Sequence, residues 1–303
     1  MEAHMDSGKK VETAKLTVPS CLEVAFLDVK GAYGYSRPGF SVIGSIIVAA
    51  ISTVVSPLVR PRILGPGSFD QTAFYHIQNE IIWGLNGEDL ALSNKQLEYN
   101  PREYAEHLLI KIRLGESDPS LGSVGRLAGY VLDRLQRKQQ PGEDAKQYVG
   151  DWLEATLANY DRSQIRKVLT EAELKKIHEK ENAEIDVRLV LAKTSLRTSD
   201  LPGLRQQLGQ LEAVRNVVPN WRKGRIDVPR EVLEEADVSP DQSVGYVKSS
   251  LVIGDWREDT KSDAVRALRA VVDKLDHGER SEGNSKAARN MLRRHIERAI
   301  DGR

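Results

Sequence analysis

A mostly helical α+β protein is what this sequence predicts, on three observations. From Pro101 onward, apolar residues recur at helical spacing in one segment after another. Before it, residues 11–37 hold short apolar runs broken by Pro19 and a glycine-rich turn, the pattern of strands. Towards the end, Arg222–Val247 packs a basic turn, a β-branched run, a proline and a second turn into one stretch. A chain of 303 residues is long enough for two or more domains. The expected organisation is 1–10 as a tag or disordered lead, 11–98 as a β-containing N-terminal domain and 99–212 as a helical domain. A strand–helix–strand element at 213–256 and a helical tail at 257–303 follow.

Composition narrows the function. The 44 basic and 44 acidic residues cancel, so no global field draws the chain to nucleic acid or to an anionic membrane, and any such binding needs a local patch. Cys21 is the only cysteine. It excludes an intrachain disulfide and a cysteine-rich zinc module, and it suits a reducing, cytoplasmic setting. The opening residues lack the apolar core of a secretory signal.

In chain order, residues 15–18 and 21–29 read as strands and 31–35 as a turn. Cys21 is then a small core residue. The uncharged run Pro38–Val59 is near the ~20 residues of a membrane-spanning helix. Its β-branched residues and Pro57 favour burial inside the protein, with membrane attachment as the second reading. Residues 72–85 read as a helix with His76 and Glu80 one turn apart. No third ligand stands at a recognisable spacing, so neither metal nor cofactor is expected. Asn100 and Pro101 start the next helix. Val124, Leu127, Val131, Leu132 and Leu135 form one apolar stripe, and Ala145, Tyr148, Val149, Trp152 and Leu153 another. Residues 161–194 are rich in Lys and Glu and read as a long, heavily charged helical stretch with a thin apolar seam. Residues 199–214 read as a helix, 255–263 as a polar linker, and 262–275 and 286–300 as two final helices. The last carries Arg289, Arg293 and Arg294, a secondary basic patch.

Gln139, Pro141, Glu143, Tyr148 and Val149, in QQPGEDAKQYVGDW (139–152), stand where the major homology region of retroviral capsid proteins has its glutamine, proline, glutamate and aromatic–valine pair. The stretch resembles that region, with Gln140 in place of the usual glycine and Asp151 in place of the usual arginine. The resemblance implies an assembly function.

In the basic stretch, Gly224 between Lys223 and Arg225 can take a positive φ and reverse the chain. Ile226 and Val228 would face one side of a short strand and Asp227 the other. Pro229 would start a helix over 230–237, and VGYV (244–247) with SLVI (250–253) would pair as a hairpin. This order, with VRNV (214–217) as a first strand, resembles the AbrB/MazE-type swapped-hairpin family over residues 214–253. The resemblance implies an interleaved dimer forming a small β-barrel. It also implies DNA contacts through Arg215, Arg222, Lys223, Arg225 and Arg230. Glu234, Glu235 and the Asp241–Gln242 turn depart from that pattern.

No P-loop, dinucleotide fingerprint, nucleophile elbow or zincin helix occurs in the sequence. The expectation is a non-enzymatic, dimeric DNA-binding or regulatory protein. The alternatives are a self-assembling coat or nucleoprotein, and a membrane-associated protein anchored by 38–59.

Overall fold

Proline starts, capped ends and apolar stripes make helix of most of the described chain. The computed structural model describes residues 68–85, 101–116, 118, 121–277 and 284–302. In order these form α1 (Ser68–Leu85), α2 (Pro101–Leu114), α3 (Gly122–Lys138), α4 (Lys146–Gln164), α5 (Glu171–Glu181) and α6 (Glu184–Leu191). A 3-10 turn at Thr198–Asp200 leads to α7 (Leu204–Arg222), α8 (Arg230–Glu235), α9 (Val244–Ser249), α10 (Leu251–His277) and α11 (Asn284–Asp301). Among the described residues there is no strand. The α+β expectation is therefore corrected to all-helical there. The one described stretch of the expected β-containing N-terminal domain is a helix, α1. The proposed strands at 15–18 and 21–29, Cys21 and the run 38–59 lie outside the described residues. Among the described residues no helix is long and apolar enough to cross a membrane.

Two groups of helices share α7 and α4 as their central elements. α7 packs on α5, α10, α9 and α11, whereas α4 packs on α2, α5, α6 and α3. One core joins Leu204, Leu208 and Leu211 of α7, Ala264, Leu268, Val271 and Leu275 of α10, and Ala288, Leu292 and Ile296 of α11. Each set recurs at three- and four-residue steps, which keeps one face of a helix towards its neighbours. Burying each of the larger side chains contributes about 1.5–3 kcal/mol. A second core gathers Val217 and Trp221 of α7 with Ile226, Val228, Leu233, Val238, Val247 and Ile253.

That second core occupies the stretch expected to be a swapped-hairpin barrel, and its make-up explains the correction. Val214, Val217 and Trp221 are buried at the three- and four-residue steps of a helix, so the expected first strand is absorbed into α7. Residues 226–228 are irregular, and Asp227 is buried along with Ile226 and Val228 instead of facing the opposite side. The expected hairpin is α9 followed by the start of α10. The expected linker 255–263 lies inside α10, because Ile253, Trp256 and Ala264 extend its inner face while polar residues cover the outer one. The charged run 161–194 is not one helix. It is divided by the end of α4, by a capping box in which Thr170 and Glu173 satisfy each other's backbone N–H, and by the break before α6.

Several helices end in a Schellman motif, with the residue after the cap in the left-handed region. Gly224 ends α7 at φ 82°, its N–H bonded to the Trp221 carbonyl while Arg225 N–H bonds that of Asn220. Arg166 ends α4 at φ 47°, with Lys167 N–H on the Arg162 carbonyl at 2.9 Å. The two ends abut, since a Cβ on Gly224 would lie 2.3 Å from the Ser163 carbonyl oxygen. Both the torsion and the contact require glycine. Gly224→Ala is expected to lower stability by about 2 kcal/mol or more. Urea unfolding checks it, and a loss below about half a kcal/mol would contradict the close approach of α4 and α7.

Candidate functional site

The ends of α4, α5 and α7 converge on one carboxylate. Asp227 follows the Gly224 turn, and its side chain is fully buried. Arg162 in the last turn of α4 donates from Nη2 to Asp227, from Nη1 to the Ile226 carbonyl at 2.8 Å, and from Nε to Asn159 at 2.9 Å. Asn220 donates to Asp227 at 2.6 Å and Arg225 Nε donates to it at 3.0 Å. Glu181, at the end of α5, accepts from Asn159 at 3.2 Å and faces Arg225 at 3.5 Å. Burial alone would raise the Asp227 carboxyl, but Arg225 and Arg162 hold it below its ordinary value. The cluster is satisfied from within the chain, and it positions backbone rather than a reacting atom.

Beside it, His178 of α5 is 3% exposed, and neither ring nitrogen has a hydrogen-bond partner among the described residues. Gly209 of α7 lets the helices cross here, because a Cβ on it would fall 2.4 Å from the His178 Cβ. A cavity of about 30 Å³ borders His178, Asp227, Trp256 and Thr260. Burial pushes the imidazole down to about 4, against the pull of Asp227.

The residues expected to contact DNA are dispersed. Arg225 is spent on Asp227 and Glu181. Arg215 donates to the Ala299 and Ile300 carbonyls at the end of α11, a cation at a helix C-terminus. Arg222, Lys223 and Arg230 are exposed. In the secondary patch, Arg293 pairs with Glu297 at 2.8 Å and Asp276 at 3.1 Å, Arg294 is exposed and Arg289 is half-buried. The carboxylates Glu297 and Asp276 thus offset part of that patch.

Sequence reasoning missed a cavity of about 400 Å³ between α6, α7 and α11, walled by Glu184, Glu212, Asn216, His295 and Arg298. Glu212 has an exposed face, yet the enclosing walls first, and the charge of Glu181 next, push its carboxyl up. Burial pushes His295 down. The charges are mixed in sign, and no spacing in the sequence links residues that three separate helices bring together. Among the described residues no group of three or more His, Cys, Asp or Glu could hold a metal ion. His76 is buried in α1, on a helix where no such group forms.

Residues 139–148 form a connected cap on α4. Gln139 Oε1 accepts from Ala145 N–H at 3.0 Å, and Glu143 accepts from Gln140 N–H at 2.8 Å and from the Tyr148 hydroxyl at 3.0 Å. Arg197, from the loop before α7, grips both oxygens of Glu143, at 2.5 and 2.8 Å. That hydrogen bond holds the Glu143 carboxyl down at about 2. Burial first, then Glu143, pushes Tyr148 up to about 12. Thr198, next to Arg197, donates its N–H to Asp186 at 2.7 Å, and Arg205 pairs with Asp186 while lying 5.5 Å over the Tyr148 ring.

Two predictions follow from the buried charges. Asp227→Asn or Arg162→Met should each cost about 3–5 kcal/mol, since each strands a charge. The double variant should cost less than the sum, and additive losses in urea unfolding would deny that the pair is coupled. For His178 the folded value lies below the ordinary 6.5, so the unfolded chain binds the extra proton. Stability is then complete above about pH 6.5 and falls as pH drops towards 4, by about 3 kcal/mol in all. His178→Phe should flatten that window while leaving the further loss between pH 4.5 and about 2, where the unfolded chain protonates Glu143 before the folded one does. An unchanged pH profile would show that another group carries the loss.

Comparison of the chain with protein-family models, with curated proteins and with solved structures finds no match.

Proposed function

We propose that this chain is a non-enzymatic structural protein that associates with copies of itself in a reducing, cytoplasmic setting. The observation that supports this most is the state of the capsid-like stretch. Gln139, Glu143 and Tyr148, three of the residues that carry that resemblance, are tied into one hydrogen-bonded cap. Asp151 departs from the motif's arginine, and Arg197 pairs with Glu143. A DNA-binding role through a swapped-hairpin barrel loses its carrier, because residues 214–253 form helices and irregular turns.

An exposed apolar pair on α2 fits association. Ile110 and Leu114 stand one turn apart and are 54% and 62% exposed. Light scattering over a concentration series is expected to show mass rising above that of one chain. Ile110→Asp with Leu114→Asp should lower that mass and leave the helical circular dichroism unchanged. A single-chain mass at every concentration, including under crowding, would sink the reading.

A further inference from the structure

We propose that Arg166 and Arg222 form a binding site for a phosphate group, at the place where the ends of α4 and α7 meet. Both line one open cavity of about 340 Å³, together with Trp221, Asp241 and Gln242. Arg166 holds a left-handed backbone at φ 47°, a position where helices more often place glycine. A bulky side chain kept there against its torsional preference points to a use for that side chain.

The guanidinium of Arg166 is fixed in place. Its Nε donates to the Pro240 carbonyl at 2.8 Å, and its carbon lies 5.5 Å over the Trp221 ring. Trp221 is itself held by its indole N–H on the Gln242 carbonyl at 3.0 Å. Those contacts use one edge of the guanidinium. Both terminal nitrogens of Arg166, and the whole side chain of Arg222, make no hydrogen bond or ion pair among the described residues. Elsewhere the buried arginines Arg162 and Arg197 are matched by Asp227 and Glu143. Lys167 and Lys223 follow the two arginines in the chain and are exposed. Asp241 is the one carboxylate on the wall, so positive charge prevails.

A planar fork with two free nitrogens, held in a cavity that a second arginine also lines, suits the tetrahedral oxygens of phosphate. Phosphate of that kind comes as a free oligophosphate or as the backbone of a nucleic acid. The stacked, immobilised fork gives the site a geometry that a scatter of surface lysines lacks.

Titrating the full chain at low salt with pyrophosphate by calorimetry, and with a labelled single-stranded oligonucleotide by fluorescence anisotropy, separates the two sources. Binding of either, weakening as salt rises, is expected. Arg222→Ala should reduce it about tenfold or more, and Arg222→Lys by less, because it keeps the charge and loses the fork. Arg166→Gly suits the left-handed torsion and should reduce binding to a similar extent. Arg266→Ala removes the same charge from α10 outside the pocket and should leave affinity within about twofold. Pyrophosphate alone identifies a free-phosphate site, the oligonucleotide alone a backbone site, and mutual competition a site open to both. No binding of either probe, or equal losses in Arg222→Ala and Arg266→Ala, overturns the proposal.

Discussion

Everything around the second core depends on one carboxylate that has no access to water. A fully buried Asp227 would be costly on its own, and it is stable only because Arg162, Arg225 and Asn220 reach it together. Those three donors come from the end of α4, the turn after α7 and the last turn of α7. The carboxylate therefore fixes where two helices stop and how the chain leaves the second. The irregular 225–229 segment has no strand ladder to hold it. Its place is set by this ion cluster and by Ile226 and Val228 in the core.

The convergence of two helix ends also accounts for the local charge. The C-termini of α4 and α7 carry unsatisfied carbonyls and the negative ends of their dipoles, and both ends are rich in Arg and Lys. Arg162, Arg166 and Lys167 belong to one end, and Arg222, Lys223 and Arg225 to the other. A cluster that reads in the sequence as the loop of a swapped hairpin is, in the fold, cations gathered at two helix C-termini. Arg225 turns inward and Arg222 outward, and nothing in their neighbours in sequence distinguishes them.

Much of the fold was legible where periodicity ran long. The stripes Val124–Leu135 and Ala145–Leu153 are buried almost as spaced, and Pro101 begins α2. The stretch after α7 misled because its signals serve two structures equally. A glycine with positive φ, flanked by cations and followed by β-branched residues and a proline, suits a hairpin turn or a helix end. Gly224 does adopt the positive φ, but as a Schellman residue. The buried charges were not legible at all. Arg162 and Asp227 are 65 residues apart and His178 stands in a run of Lys and Glu, so only the tertiary fold decides which charges go inside. Thr170 and Glu173 were readable as a capping box, and the charge count around them drew attention away.

Balanced charge takes on a different meaning in this light. The equal totals of acid and base are not only a solvated coat, since three ion pairs join separate parts of the fold. Asp227–Arg162 ties an irregular segment to α4, Asp186–Arg205 ties α6 to α7, and Glu143–Arg197 ties two irregular segments together. Irregular segments between helices have backbone groups that no ladder satisfies, and a paired charge anchors such a segment at one point with direction as well as strength. That use of arginine consumes the side chain and leaves nothing for a ligand. Arg166 and Arg222 differ in that, among the described residues, Arg222 has no partner and Arg166 leaves two nitrogens free. Arg166 also sits in a torsion that works against stability. The negative ends of two helices account for positive charge at this place, and the guanidinium nitrogens that the fold leaves unused are what such charge can offer a ligand.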